Sequence, residues 1–438
     1  GGLDWQIEGS QLQLASRPSG QVDLQIVGQP ARVSFGDGYI EGPVIRMDQR
    51  TGLVWMDHPG EICVPGNLVA SRTPGQSIEW PKPLKCRWQG HMLFNGSKAN
   101  IEGDITIDGC ARTAPDRLLF IGGTCHTLEM LLSQPVDISN PGSTNATLHS
   151  ITLRRDVNIR TAQRDTSNRR ISLEEIYVPE LTYEMATNRI IGSGPGWLRS
   201  QHLSSSGGMG ALASGSSQRA GAVLTQKPMS LQGMHLKFRD TMEARLTERQ
   251  LSFLGKVEVG IGPVPSLEDV INLDTMRTLQ PEQMLLSGDL LRVYDTSDLS
   301  RASSTSTMAE GAWEFEAMGN VTFEGNRESG DFSGKAYRMT YAQAKDLVHV
   351  RGDARVPAEL HYRPRTSTSI ASSTLKLWSG SLNTKTMRPT GDAADGQLEL
   401  APGSQIVPRG QAPAGNPNAP AVPPVRPRDA VKDIFKNN

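Results

Sequence analysis

The chain has 438 residues, of which 44 are glycine and 28 are proline, and only 5% are aromatic. Average domains contain about 12% glycine and proline together, so this chain turns often and has few large side chains for one deep core. Its 45 basic residues nearly balance its 46 acidic ones. This balance argues against nucleic acid as the main ligand, because phosphate binding needs a clustered positive excess. The sequence also contains no apolar run near the roughly 18 residues of a membrane-spanning helix.

The chain begins with Gly1 rather than methionine, and 1–5 resembles the middle of a strand. We therefore expect a piece of a longer protein, whose leader or anchor would lie upstream. Further along, apolar and polar residues alternate over 151–159, 234–238 and 313–323. Side chains of the same parity share one face of a strand, so this pattern predicts an all-β protein with one apolar and one polar face per strand.

A hairpin pattern recurs along the chain. The segment Leu181–Ile190 reappears as Met339–Val348, and a copy with a shorter turn covers 42–56. Each copy has an apolar strand, a polar turn and a second strand rich in apolar residues. A hairpin with a single apolar face cannot fold alone, so the copies must stack to bury that face.

Composition divides the chain into four parts. We predict a first unit over 1–200 and a second over 222–400, each of short antiparallel strands. The segment 201–221 is rich in serine and glycine, which indicates a flexible linker or a long loop. The Pro-rich segment 401–438 cannot bury enough apolar surface to order itself, so we expect a disordered tail.

The hairpin Thr340–Asp346 and the segment Gly319–Gly325 resemble the OstA/LptA-like family, and the resemblance covers most of 20–365. That family includes a periplasmic lipopolysaccharide bridge protein and the N-terminal domain of the outer-membrane LptD partner. The resemblance implies two tandem antiparallel β-jellyrolls, each a V-shaped double sheet with an apolar interior. It also implies a non-enzymatic protein of the periplasm or cell envelope that carries lipopolysaccharide or a similar lipid and helps to assemble the outer membrane.

Such a role has a simple physical requirement. Each buried methylene contributes about 0.8 kcal/mol, so an acyl chain of roughly twelve carbons costs on the order of 10 kcal/mol to expose to water. A carrier therefore needs a continuous apolar lining. The unpaired strand edges of a double sheet would serve for docking to other β-jellyroll envelope proteins by strand addition.

The candidate lining consists of aromatic and large apolar residues in strand-like segments, although each of them could equally fill a closed core. These residues are Trp55, Phe94, Ile101, Phe120, Tyr183, Trp197, Phe238, Trp313, Phe315, Phe323 and Tyr341. Candidate phosphate contacts are Arg154, Arg155 and Arg160, because the guanidinium fork matches phosphate. A solvated strand face explains these arginines as well.

Four cysteines, Cys63, Cys86, Cys110 and Cys125, lie in the first third of the chain. Their even number suits two disulfides, and buried free thiols explain them nearly as well. No CxxC, HExxH or Gly-x-Ser-x-Gly motif occurs, so the sequence predicts no metal, cofactor or catalytic site.

Two other classes of function remain open at this point. One is a β-solenoid enzyme acting on polysaccharide, which would need parallel coils of regular length. The other is a structural array protein of the cell surface, which would have a closed and dry interior.

Overall fold

The prediction of an all-β protein is confirmed. In a computed structural model of the chain, the described residues form 24 strands, and every ladder between these strands is antiparallel. The structure describes residues 5–16, 22–35, 37–48, 50–64, 79–136, 146–204, 230–276, 278–295, 313–342, 347–365, 373–383 and 388–393. Within these ranges no helix is long and apolar enough to cross a lipid bilayer.

Among the described residues the strands follow one another with one short 3-10 helix, Leu273–Thr275, between β17 and β18. Their bounds are β1 (Trp5–Glu8), β2 (Gln11–Ser16), β3 (Val22–Phe35), β4 (Gly38–Asp48), β5 (Leu53–Met56), β6 (Gly60–Val64), β7 (Glu79–Trp88), β8 (His91–Phe94), β9 (Lys98–Ala114), β10 (Arg117–Leu132), β11 (Leu148–Asp165), β12 (Arg170–Glu184), β13 (Arg189–Ser193), β14 (Gly196–Ser204), β15 (Ser230–Phe238), β16 (Thr241–Arg245), β17 (Gln250–Pro263), β18 (Met284–Asp295), β19 (Trp313–Arg327), β20 (Gly330–Ala342), β21 (Leu347–Arg351), β22 (Ala358–Pro364), β23 (Ser373–Asn383) and β24 (Arg388–Ala393).

Long strands and pairs of half-length strands alternate across the sheet. The long strand β9 pairs with β8 along one half and with β7 along the other. The same arrangement recurs where β12 pairs with β13 and β14, and where β20 pairs with β21 and β22. Between these positions β9 to β12 and β17 to β20 run as full-length hairpins.

Bulges interrupt the long strands near their middles and form a line across the sheet, which we call the crease. The extra residues are left-handed pairs, with φ of 91° and 38° at Gly103–Asp104, 62° and 53° at Arg155–Asp156, 82° and 48° at Gly255–Lys256, and 73° and 48° at Gly319–Asn320. The corners between half-strands join this line, since Arg239 donates its backbone N–H to Gly255. Because a bulge bends and twists its strand, the crease turns each long strand through an angle at the same level.

The sheet folds on itself along the crease. Leu153 and Val157 lie on opposite sides of the bulge in β11, and Phe253 and Val257 lie on opposite sides of the bulge in β17. All four belong to one apolar core, in which Val157 and Phe253 are completely buried. A single layer of sheet cannot enclose its own side chains, so the half-sheets on the two sides of the crease must cover each other.

The predicted hairpin repeat is present at the level of register. Tyr183 lies opposite Ile190 in the β12–β13 pair, and Tyr341 lies opposite Val348 in the β20–β21 pair. The copy over 42–56 places Met47 opposite Val54 in the β4–β5 pair with the same spacing, so the prediction that its turn is shorter is wrong. Identical spacing of an apolar strand and its turn has therefore produced three equivalent hairpins.

The two predicted units share one sheet, because β14 pairs with β15 along their full lengths. Most of the predicted linker 201–221 lies outside the described residues, as does the predicted tail 401–438. The connection between β17 and β18 covers part of the outer surface, where Ile271, Leu273 and Met276 form a small second core. His235 on β15 is held beneath it by a 2.7 Å hydrogen bond between its Nδ1 and the carbonyl of Ile271.

Candidate functional site

One face of the folded sheet carries a continuous apolar core, and we call it the inner face. This core extends from Ile26 in β3 to Leu382 in β23. The sequence produces it by alternation on each side of the crease, because each half of a strand directs every second side chain to the same side. The inner face thus connects both predicted units without an interruption at the β14–β15 pair.

Seven of the predicted lining residues lie on the inner face. Five of them are at most 9% exposed and belong to the core: Ile101, Phe238, Phe315, Phe323 and Tyr341. Phe315 and Tyr341 stack with ring centroids 6.2 Å apart. Phe94 and Tyr183 are half-buried, and Phe94 packs against the core. The side chain of Trp313 lies outside the described residues.

The structure places the other three predicted lining residues on the outer face. Trp55 alternates with the core residues Val54 and Met56, so it points the other way and lies opposite Leu93 of β8. Phe120 lies beneath the guanidinium of Arg164, whose carbon is 5.0 Å from the ring centroid.

Trp197 lies on the outer face of β14 in an aromatic cluster of its own. Its ring stacks on Tyr177 at 5.8 Å, and the guanidinium carbon of Arg199 is 4.0 Å from its centroid. Its neighbour Leu198 belongs to the core, so strand alternation directs Trp197 outward. Large aromatic residues therefore occur on both faces of this sheet, and size alone does not indicate the inner one.

The inner face is exposed at the N-terminal end of the sheet. Leu12 and Leu14 of β2 lie opposite Ile26 and Leu24 of β3 and are 54% and 65% exposed. Ile7 of β1 is 46% exposed. In the described part of the chain, β1 and β2 pair only with β3. This end therefore combines exposed apolar side chains with an open strand edge.

The inner face is also less enclosed in the central strands β10 to β13. Its apolar side chains there pack against the core but remain only partly buried: Met130, Ile151, Ile159, Ile176, Leu181 and Ile190. In contrast, Phe253, Phe323 and Leu360 in the C-terminal strands are at most 1% exposed. Access to the interior is thus greatest at the N-terminal end and in the central section.

Polar side chains replace apolar ones on the inner face at one border of the central section. They form two rows in register across β11, β12, β14 and β15, and we call them the inner polar cluster. One row contains Thr161, Glu174 and Ser200, and the other contains Gln163, Ser172, His202 and Gln232. Gln163 is 1% exposed and Gln232 is 5% exposed.

Burial shifts the pKa values of the two titratable groups of the inner polar cluster in the direction that favours their neutral forms. Desolvation raises the pKa of Glu174, and a hydrogen bond from the Thr161 hydroxyl opposes this only in part. Desolvation likewise lowers the pKa of His202. The Nδ1 atom of His202 has no hydrogen-bond partner among the described residues. The cluster therefore offers hydrogen-bonding groups with little charge, next to apolar surface.

The three candidate phosphate contacts lie apart from the inner polar cluster. Arg154 is on the outer face, where its guanidinium contacts Glu129 and Glu180 at 3.1 Å each. Arg155 is exposed within the crease, and Arg160 is exposed on the outer face of β11. In the described ranges neither Arg155 nor Arg160 forms a salt bridge, so of the three candidate phosphate contacts these two remain available to a ligand.

All four cysteines are free thiols with buried side chains. Burial raises the pKa of Cys86 and of Cys125 to about 12, so both are protonated and unreactive near neutral pH. The described residues include no group of three or more histidine, cysteine, aspartate or glutamate side chains that could hold a metal ion.

A concave feature lies on the outer side of the crease near the C-terminal end. It is a cleft of about 790 Å³ lined by Tyr337, Trp378 and three arginines, among others. The local sequence does not indicate this cleft, because its residues come from four separate strands and one turn.

The inner polar cluster was missed for a different reason. The signal was present in the sequence, since Thr161 and Gln163 continue the parity of Val157 and Ile159 in place of apolar residues.

The parallel coils that a β-solenoid would need do not occur among the described strands. In comparisons with known proteins, no family model matches the sequence and the search of curated proteins found no match.

Proposed function

We propose that this protein is a non-enzymatic carrier that binds lipopolysaccharide or a similar acylated lipid in the periplasm or cell envelope. The observation that carries the proposal is the continuous apolar inner face, together with its exposure at Leu12 and Leu14. These side chains would otherwise be buried in a self-contained domain, and contiguous exposed apolar surface is typical of a binding site. On this proposal the protein acts as a member of the OstA/LptA-like family.

The acyl chains would bind at the N-terminal end and in the central section. Partly buried side chains such as Ile159 and Ile176 can be covered further by a ligand, whereas fully buried ones in the C-terminal strands cannot. Covering this surface with acyl chains gains about 25 cal/mol for each Å² of apolar area removed from water. The C-terminal strands would then act mainly as a rigid extension of the sheet.

The inner polar cluster would receive the polar part of the lipid. Burial raises the pKa of Glu174 and so favours its hydrogen-bond-donating form, and His202, whose pKa burial lowers, has a ring nitrogen without a partner among the described residues. Hydroxyl and amide groups of a lipid headgroup fit such neutral partners. Phosphate groups of the same lipid would contact Arg155 or Arg160 only where they extend beyond the inner face.

The open edge at β1 and β2 would serve for docking. A further strand added beside β2 would form hydrogen bonds with the unpaired backbone groups of this edge and continue the inner face across the junction. The partner would be another β-jellyroll envelope protein or a second copy of this chain, so that the lipid could pass without exposure to water.

Photo-crosslinking tests this proposal directly. A photoreactive phenylalanine analogue is placed at Leu14 or Tyr183 on the inner face, and at Leu93 as the control, because Leu93 is apolar and exposed but lies on the outer face. After incubation with purified lipopolysaccharide and irradiation, we expect lipid adducts at the two inner positions and none at Leu93. An adduct between two protein chains at Leu14 would support end-to-end docking. Equal labelling of Leu93, or no lipid adduct at either inner position, would refute the carrier function.

A further inference from the structure

The cleft on the outer side of the crease has the composition of a ligand site. Two large aromatic side chains, Tyr337 and Trp378, line it and are 48% and 41% exposed. Tyr337 is the single residue opposite the Gly319–Asn320 bulge, and Trp378 lies at the register shift between Leu377 and Ser379. Both rings point outward at the crease, next to Ala336, which packs against the core, and Leu377, which belongs to it.

Positive charge surrounds these two rings. Arg338, Arg351 and Arg355 line the cleft, with Asp353 as its one acidic residue. Arg338 is bound to Glu316 at 2.6 Å, and Arg292 contacts the same carboxylate at 3.2 Å. Arg351 and Arg355 are exposed and form no salt bridge within the described ranges. Two guanidinium groups are therefore available to an anionic ligand.

One wall of the cleft is the turn that contains Asp353, and hydrogen bonds to backbone groups hold this turn in place. The Asp353 carboxylate accepts from the backbone N–H groups of Arg355 at 2.6 Å and of Val356 at 2.5 Å, which lowers its pKa. Gly352 donates its N–H to the carbonyl of Trp378 at 3.1 Å. Because the turn is fixed to the strand that carries Trp378, the arginine at its tip and the indole ring are positioned together before any ligand arrives.

We infer that this cleft binds an anionic carbohydrate, a chain of pyranose rings that carry carboxylate or phosphate groups. The exposed faces of Trp378 and Tyr337 can stack on the C–H surfaces of sugar rings, and the forks of Arg351 and Arg355 match carboxylate and phosphate oxygens. The volume lies within the usual range for small-ligand sites. The inference is independent of the proposed lipid function, because the cleft is on the outer side of the sheet.

Isothermal titration calorimetry with the whole chain tests the inference. Trigalacturonate supplies carboxylates on a sugar chain, and maltotriose is the neutral counterpart. We expect saturable binding of trigalacturonate, weakening with salt, and binding of maltotriose that is at least about tenfold weaker, since hydrogen bonds to charged groups contribute about 1.5–3 kcal/mol. Deacylated lipopolysaccharide saccharide, used as a third probe, distinguishes a lipid-linked sugar from a free polysaccharide as the source. The nucleotide AMP is the fourth probe.

Three variants assign the binding to the cleft. Trp378→Ala should weaken trigalacturonate binding about tenfold or more, whereas Trp378→Phe should retain most of it. The double variant Arg351→Gln/Arg355→Gln should remove the preference for trigalacturonate over maltotriose, and it decides the question if Trp378→Ala fails to fold. Arg50→Gln is the matched control, because Arg50 is an exposed arginine outside the cleft and has no role in the proposed lipid site. No binding of any sugar up to millimolar concentration, unchanged binding in the double variant, or AMP binding as strong as that of trigalacturonate would each overturn the inference.

Discussion

Glu174 lies directly opposite Thr161 in the β11–β12 ladder, and the Thr161 hydroxyl is hydrogen-bonded to its carboxyl group on the inner face. Burial raises the pKa of this carboxyl group, because it removes the water that would solvate the charge of the ionised form. This pair explains how a titratable residue can occupy a position that alternation assigns to the apolar face. It also makes the stability of the central section dependent on pH.

The first prediction concerns Glu174→Gln. The folded-state pKa of Glu174 is raised above its ordinary value of 4.5, so its contribution to stability is complete below that value and is lost as the pH rises through the folded-state pKa. The amide cannot ionise, and the variant should therefore be the more stable protein above this window, by about 1.4 kcal/mol per pH unit of the shift. Urea unfolding at pH 4 and between pH 7 and 9 measures the difference.

The control for this prediction is Glu175→Gln. Glu175 lies on the outer face and accepts a 3.0 Å hydrogen bond from Asn158, so its amide variant should gain no stability at high pH. The range above pH 7 also avoids His202, whose lowered pKa makes its own contribution decline only as the pH falls below its ordinary value of 6.5. If the difference in the free energy of unfolding between Glu174→Gln and the native protein is the same at every pH, the Glu174 carboxyl group is solvated.

The second prediction concerns the crease. Gly319 has a φ of 73°, and a Cβ atom there would lie 2.5 Å from Oδ2 of Asp289, which accepts a 2.8 Å hydrogen bond from Asn320. Gly319→Ala should lower the free energy of unfolding by more than about 2 kcal/mol, the sum of left-handed strain and the displaced side chain. Gly52 has a similar φ of 66° in open space, so Gly52→Ala should cost only about 1 kcal/mol. Equal losses in urea unfolding would mean that the bulge does not constrain packing.

The third prediction separates two arginines of the same strand. Arg154 contacts Glu129 and Glu180 at 3.1 Å, so Arg154→Gln should lower the free energy of unfolding by less than about 1 kcal/mol and leave lipopolysaccharide binding unchanged. Arg160 is exposed on the same face, so Arg160→Gln should leave stability unchanged and weaken binding up to about fivefold. Binding at two salt concentrations provides the measurement. The opposite pattern would assign phosphate contact to Arg154.

The fourth prediction concerns the cysteines. All four are buried free thiols, and burial raises the pKa of Cys86 and Cys125 to about 12. In the native protein at pH 8 a thiol reagent should therefore label Cys86 and Cys125 far more slowly than a small-molecule thiol. All four should react once the chain is unfolded in urea. Fewer than four reactive thiols in the unfolded, unreduced protein would show that disulfides form.

The sequence predicts the architecture well, because alternation and the hairpin repeat are local properties. Tyr183 pairs with Ile190, and Tyr341 pairs with Val348, at equivalent positions of the sequence repeat. The direction of individual side chains was harder to predict. Trp55 belongs to a four-residue strand, Leu53–Met56, in which two apolar residues on each parity make both assignments look alike. The face on which Trp55 lies is decided by its partners on the neighbouring strands, and these partners are distant in sequence.

Two features of the candidate sites arise only from tertiary structure. The bulges shift the parity of a strand midway, as between Thr124 and Thr127, so a pattern read from one end of a long strand misplaces residues at the other. The outer cleft joins Tyr337, Trp378 and the turn at Asp353 from different strands. Nothing in the local sequence of any one of them indicates the other two.

The crease also determines how such a protein can change its length. Since each long strand bends at the same level, an additional pair of strands would extend the fold without altering its cross-section. The number of hairpins would then set the length of the fold, while the width of its interior stays constant. Gene duplication of a hairpin would in this way lengthen the fold without redesigning its interior.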